Sequence, residues 1–147
     1  MTAPRVVVEV SSSVRRLPIS AARVRQLVTT TLSFDNIRDA LVSVAFVGTS
    51  AMTRMNRDYL GRAGPTDVIS FGMGRELPSL PAVGDIYICV AIARRNALAL
   101  GIPVREEVAR LVVHGTLHVA GHEHPEDASR TTSTMWRKQE RILARLR

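Results

Sequence analysis

Pro103-Val-Arg-Glu-Glu-Val-Ala-Arg-Leu-Val-Val-His114-Gly-Thr-Leu-His118-Val-Ala-Gly121-His-Glu-His124 is the stretch from which the rest of the chain is best read. Proline is favoured at the first position of a helix, where a missing N–H costs nothing, and the apolar residues that follow keep helical spacing. The pattern predicts a helix over residues 104–120. His114 and His118 are four apart and so stack one turn above the other, with Glu107 and Leu111 on the same face. Gly121 can take the left-handed conformation that ends a helix, and a reversal there brings His124 back toward the other two rings. His118 and His122 are also four apart and would be the pair if the helix ran on. Gly121 argues against that continuation, so His124 is the preferred third ligand.

Three imidazoles in the spacing H-x3-H-x2-G-x2-H make a metal-binding arrangement. All four histidines of the chain fall within these eleven residues. Three nitrogen ligands leave a fourth position for an exchangeable water, the catalytic kind of zinc site, whereas structural zinc is usually closed by four protein ligands. One Zn(2+) per chain is the expectation. A peptidase motif of the H-E-x-x-H type would place a glutamate directly after the first histidine, but that residue is Gly115, so the expected substrate is not a peptide. Zinc can still polarise a carbonyl or phosphoryl oxygen. Glu107 could orient a basic or ligand group from behind, or be a solvated carboxylate in the first helical turn. Met135 could lie beneath the metal or simply fill the core.

The surrounding chain alternates strands and helices. The valine-rich Arg5 to Val10 reads as a strand. Residues 20 to 32 read as a helix after a serine cap at Ser20, and Leu41 to Val47 reads as a second strand. Ser50 is a candidate cap for a helix from residue 51 to Tyr59, followed by the loop Gly61-Arg-Ala-Gly-Pro65. Asp67 to Phe71 and Asp85 to Cys89 read as strands, separated by a Gly- and Pro-bearing segment over 72–84. Residues 90 to 100 read as a helix, and Ser129 to Leu146 as a closing amphipathic one. The fold expected is mixed α/β, or α+β: a sheet of about four strands packed with about five helices, the zinc site lying toward the end of a central helix.

Composition bounds the rest. The chain has 147 residues, 46% of them hydrophobic, and no linker or repeat divides it, so a single domain over residues 1–147 is expected. No apolar stretch approaches the roughly 20 residues that cross a bilayer. The lone Cys89 sits in an apolar run and reads as a core residue, which fits a reducing cytoplasm. A net charge of +7 favours polyanionic partners through phosphate contacts, although 19 of the 20 basic residues are arginine, as a GC-rich genome would also produce. Aromatic residues are only 4%, and no RNP-like signature is present, which argues against a base-stacking platform.

The histidine motif, taken with Pro65-Thr-Asp-Val-Ile-Ser-Phe71, Gly84-Asp-Ile86 and Gln139-Glu140 in that order, resembles the YbeY family of bacterial endoribonucleases over about residues 41 to 147. The resemblance implies a zinc-dependent, single-strand-specific endoribonuclease of the cytoplasm. It implies action in 3′-end maturation of 16S ribosomal RNA and in 70S ribosome quality control. Single-stranded RNA, ribosomal RNA and the ribosome are the implied partners, with neither membrane nor DNA, and His114, His118 and His124 the implied zinc ligands. No catalytic residue beyond the zinc ligands is assigned. Family members often carry arginine where this chain has Leu60, after Asn56-Arg-Asp-Tyr59; Arg62, two residues on, is the substitute candidate for substrate phosphate. Rival readings are a zinc-stabilised ribosome assembly factor with little turnover and a different zinc metallohydrolase.

Overall fold

The computed structural model describes residues 5–75, 77 and 79–147; residues 1–4 of the N-terminal stretch lie outside the described residues, as do 76 and 78 of the 72–84 segment. In chain order the elements are β1 (Arg5–Ser12), α1 (Ala21–Phe34), β2 (Asp39–Val47), α2 (Thr49–Leu60), β3 (Val68–Gly72) and β4 (Ala82–Cys89). They continue with α3 (Val90–Leu100), α4 (Val104–Val119), a 3-10 segment (Ala128–Thr132) and α5 (Thr134–Leu146). The mixed α/β architecture expected from the sequence is present, with four strands in one sheet.

The strand order is β1-β2-β4-β3. β1 pairs parallel to β2 and β2 parallel to β4, whereas β3 pairs antiparallel to β4. Parallel neighbours need a crossover, which α1 supplies between the first two strands. Along β2 the alternation places Ala40, Val42, Val44 and Phe46 on one buried face. With Ile86 and Ile88 of β4 they meet Leu27 and Leu32 of α1 and Ile142 and Leu143 of α5 in the main core. Met135 belongs to this core, and Cys89 to a smaller cluster with Met52, Ile69 and Ile92.

Helix α4 is the hub. It packs on α1, α3 and α5 and on three of the strands, and it buries residues all round its circumference, from Glu107 through Val119. Its seat on the sheet depends on two glycines. A Cβ at Gly115 would lie 2.7 Å from Ile86 Cγ2, and one at Gly84 would lie 2.5 Å from the Phe71 carbonyl oxygen and 2.7 Å from Val119 Cγ2. Position 115 therefore faces β4 at a separation that leaves no room for a glutamate. The gap in the peptidase motif has a packing cause.

Strands β1, β2 and β4 run two or three residues longer than expected, β4 starting at Ala82 within the segment read as a connection, and three helix starts differ as well. Helix α2 begins at Thr49 with Gly48 at its cap and no capping side chain, so Ser50 is inside the helix and not its cap. Pro103 is the capping residue of α4, one position before the first helical residue, and the helix ends at Val119. The closing helix is split: Ser133 caps α5 by accepting from the Trp136 N–H, and the preceding 3-10 turn is capped by Asp127. Ser129, the expected start, lies inside the 3-10 turn, and Ser133 starts the α-helix.

Candidate metal centre

The end of α4 is closed by a Schellman arrangement. The Gly121 N–H donates to the His118 carbonyl at 2.9 Å and the His122 N–H donates to the Leu117 carbonyl at 2.9 Å. Gly121 has φ of 104°, a conformation that strains any other residue, and it turns the chain back on itself. Here the expected reversal occurs. It brings one ring nitrogen each of His114, His118 and His124 to within 4.8 Å of one another, with ring centroids 4.7 to 4.9 Å apart.

Each of these rings is oriented through Nδ1. That of His114 lies 2.7 Å from Gln139 Oε1, that of His118 2.9 Å from the His122 carbonyl, and that of His124 2.8 Å from the Pro125 carbonyl. A carbonyl oxygen only accepts, so Nδ1 is the protonated nitrogen in all three and Nε2 keeps its lone pair. The Gln139 amide is itself assigned by its neighbour, because its NH2 donates to Glu140 Oε2 at 3.1 Å and leaves Oε1 for His114. Metal-binding histidines are habitually held this way, which makes the donor set suited to a divalent metal that prefers nitrogen.

Electrostatics favour the same state. Burial lowers the His114 pKa to about 4, with the Gln139 hydrogen bond opposing and the neighbouring histidines adding to the depression. Burial also lowers His118, and His124 beside it contributes. Both rings are neutral near pH 7, the form that coordinates a metal.

His122 points elsewhere. Its Nε2 lies 2.8 Å from Asp35 Oδ2, while the other oxygen of that carboxylate is in close contact with the Lys138 ammonium. Burial would raise the Asp35 pKa, but the hydrogen bonds from Lys138 and His122 outweigh it and hold the carboxyl below its usual range. This latch joins the end of α1, the turn after α4 and helix α5. It fixes the peptide whose carbonyl orients His118.

Behind the histidines runs a second polar network. Arg110 donates to Glu107 Oε1 at 3.0 Å and forks onto both oxygens of Glu140 at 3.2 Å, and Glu140 in turn holds Gln139. Glu107 is only 4% exposed, so it is not a solvated first-turn carboxylate. Burial raises its pKa despite the opposing Arg110 guanidinium. It orients a basic group, Arg110, three links away from His114. Asn96 bridges it to Asp67, with amide contacts of 3.4 and 3.2 Å.

Arg62 follows the left-handed cap Gly61 of α2, and its guanidinium pairs with Glu126 at 2.6 Å on the solvent side of the loop that carries His124. Leu60, by contrast, exposes an apolar side chain. A groove of about 610 Å³ opens beside His114, lined also by Gln139 and Trp136 of α5, Arg130, Asn96 of α3 and Glu107 of α4. Sequence reasoning gave no role to Gln139, Asp35, Arg130 or Trp136. Only the place of Gln139-Glu140 in the family pattern hinted at the first.

The chain was compared with known proteins. The model of the family described as Endoribonuclease YbeY matches residues 9–147. Endoribonuclease YbeY of Geobacter sulfurreducens is 34% identical over 142 residues, covering 95% of this chain and 95% of the relative. The protein of the same name from Geobacillus kaustophilus is 37% identical over 134 residues, covering 83% of each. A solution structure from Thermotoga maritima, 23% identical, superposes with a TM-score of 0.61 over 93% of this chain and 87% of that one, a likeness of fold.

Proposed function

The chain belongs to the YbeY family of endoribonucleases, and from that premise we propose that it is a zinc-dependent, single-strand-specific endoribonuclease of the cytoplasm. Its proposed substrate is ribosomal RNA on the ribosome, in 3′-end maturation of 16S RNA and in 70S quality control. His114, His118 and His124 are the proposed ligands of one zinc ion per chain. The observation that carries this reading is the shared tether: three Nδ1 atoms donate to carbonyl oxygens, and three Nε2 lone pairs are left to a common point.

Zinc bound there supplies Lewis acidity toward a phosphoryl oxygen. The protein's own residues prepare the site for it. Burial keeps His114 and His118 unprotonated near neutral pH, so coordination displaces little bound acid. Gln139 and the His122 carbonyl hold the two helical rings in place, and the Pro125 carbonyl holds the third. Arg62 is the proposed contact to a substrate phosphate. Its partner Glu126 is exposed, so the pair is screened by solvent and a phosphate can exchange for the carboxylate. The chain's net charge of +7 draws the polyanion to the surface.

The test is cleavage of defined single-stranded and duplex RNA by zinc-loaded protein, with a chelator arm and His114→Ala protein purified in parallel. Cleavage confined to single strands, abolished by the chelator and absent from the variant is expected. Equal cleavage by the variant assigns the activity to a contaminant and removes the proposal.

A further inference from the structure

The groove beside His114 has that histidine in its lining but neither His118 nor His124. Trp136 and Gln139 are three residues apart on α5 and so lie on one face of that helix. Gln139 touches His114, and Trp136 lines the groove. Arg130, from the 3-10 turn, places its guanidinium carbon 6.0 Å from the centre of the indole ring and is close enough to His114 to contribute to that ring's depressed pKa. Trp136 is the chain's only tryptophan. The low aromatic content that argues against an extended stacking platform leaves room for a single stacking position, and the structure puts the single indole there.

A second part of the lining has a different chemistry. Asp67 and Glu107 both line the groove, bridged by the Asn96 amide. Each carboxylate has about four lone-pair positions, and the hydrogen bonds made to Asp67 and Glu107 do not exhaust them. Apolar side chains of α3 and α4, Leu100 and Leu111 among them, complete the cavity. A flat ring that stacks on an indole and presents N–H donors to carboxylates fits this lining. That is a nucleobase with an exocyclic amino group, and uracil, which shows mainly acceptors, fits poorly.

We propose that this groove is a nucleobase subsite, in which the base next to the scissile phosphate stacks on Trp136 and gives its amino group to Asp67 and Glu107, so that adenine, cytosine or guanine is favoured there over uracil. Arg130, poised between the indole and His114, faces the sugar-phosphate of the same nucleotide. The subsite rests on the ribonuclease reading above and adds a base preference to it. No bond is made or broken by it; it positions the substrate.

The single tryptophan makes the test direct. Zinc-loaded protein is titrated with 2′-O-methyl oligomers of adenosine, cytidine and uridine, their integrity checked after each titration, and indole fluorescence is followed alongside fluorescence anisotropy of the labelled strand. Saturable quenching is expected with the first two oligomers, at concentrations on the order of tenfold below those needed for uridine. Trp136→Leu keeps an apolar side chain for packing, and it should weaken adenosine and cytidine binding on the order of tenfold and erase the preference, with zinc content unchanged; Trp136→Phe should restore most of both. Binding seen by anisotropy without quenching, or a preference that survives Trp136→Leu, overturns the subsite while leaving the ribonuclease reading standing. No binding by either signal, together with no cleavage, overturns both.

Discussion

His114 and His118 stand on consecutive turns of a buried helix, while His124 lies in irregular chain three residues beyond Gly121, and the two sides of the cluster are held by different means. On the helical side the spacing of the residues does most of the positioning. The rings are aimed by backbone that the sheet fixes through Gly84 and Gly115. On the loop side the local sequence supplies the turn at Gly121 and the Pro125 carbonyl that holds the His124 ring, but not the long-range support of that turn. The place of His124 depends on the Schellman closure and on the latch from Asp35 and Lys138 to His122, groups 87 and 16 residues away from that ring in sequence. Regular structure makes the placement of two proposed ligands a local property. That of the third also needs a tertiary contact.

If that contrast holds, the largest effects come from the rings themselves. His118→Ala should remove zinc and lower RNA cleavage by about a thousandfold or more, read by elemental analysis and single-turnover rates, because two remaining nitrogens do not make a closed donor set. Retained zinc with full activity in that variant would break the account on its stronger side.

Gln139→Leu comes next. It keeps the volume in the core, removes the acceptor that fixes His114 Nδ1–H, and should weaken zinc affinity by about 10- to 100-fold in competition titration while the far-ultraviolet circular dichroism stays unchanged. Asp35→Asn acts at one further remove, through the turn that leads to His124 and whose His122 carbonyl also orients His118. A smaller loss of zinc affinity is expected there, several-fold on the same scale as the Gln139 effect, together with faster amide exchange across residues 121–127. An effect of Asp35→Asn larger than that of Gln139→Leu would invert the comparison and make the loop the dominant organiser.

The pH dependence of the metal-free protein sharpens the helical side. His114 has a folded pKa of about 4 against an unfolded value of 6.5, so the unfolded chain binds the extra proton more readily. Stability from the neutral ring is complete above about pH 6.5 and is lost as pH falls toward 4, at most about 3 kcal/mol by linkage. Denaturant midpoints of metal-free protein across that window measure it, and His114→Gln should flatten the decline. The smallest effect is reserved for Arg62→Ala: weaker single-strand binding, unchanged zinc, and a salt slope shallower by about 0.7 in log affinity per log salt if one phosphate contact is lost. An unaltered slope assigns the phosphate contact to another arginine.

The contrast also explains what the amino-acid sequence disclosed. The mixed architecture, the central helix and the turn at Gly121 follow from periodicity and backbone preference, which are local. The family pattern was likewise readable around the histidines. The strand order, with β3 outside β4, is a matter of long-range pairing and carries no local mark. Asp35 at the end of α1 looks like any polar helix terminus until Lys138 and His122 are brought to it. Gly115 read as a missing base, and only its contact with Ile86 shows a packing requirement. Glu107 read as either solvated or orienting because burial is a tertiary quantity.

The direct test of the central claim is zinc stoichiometry in three proteins prepared alike: the unaltered chain, His124→Ala and His122→Ala. About one zinc per chain is expected in the first and third and almost none in the second, since His122 is committed to Asp35 and His124 to the cluster. Zinc kept by His124→Ala and lost by His122→Ala would mean that the loop does not bring its histidine to the metal, and the account of the site would be wrong.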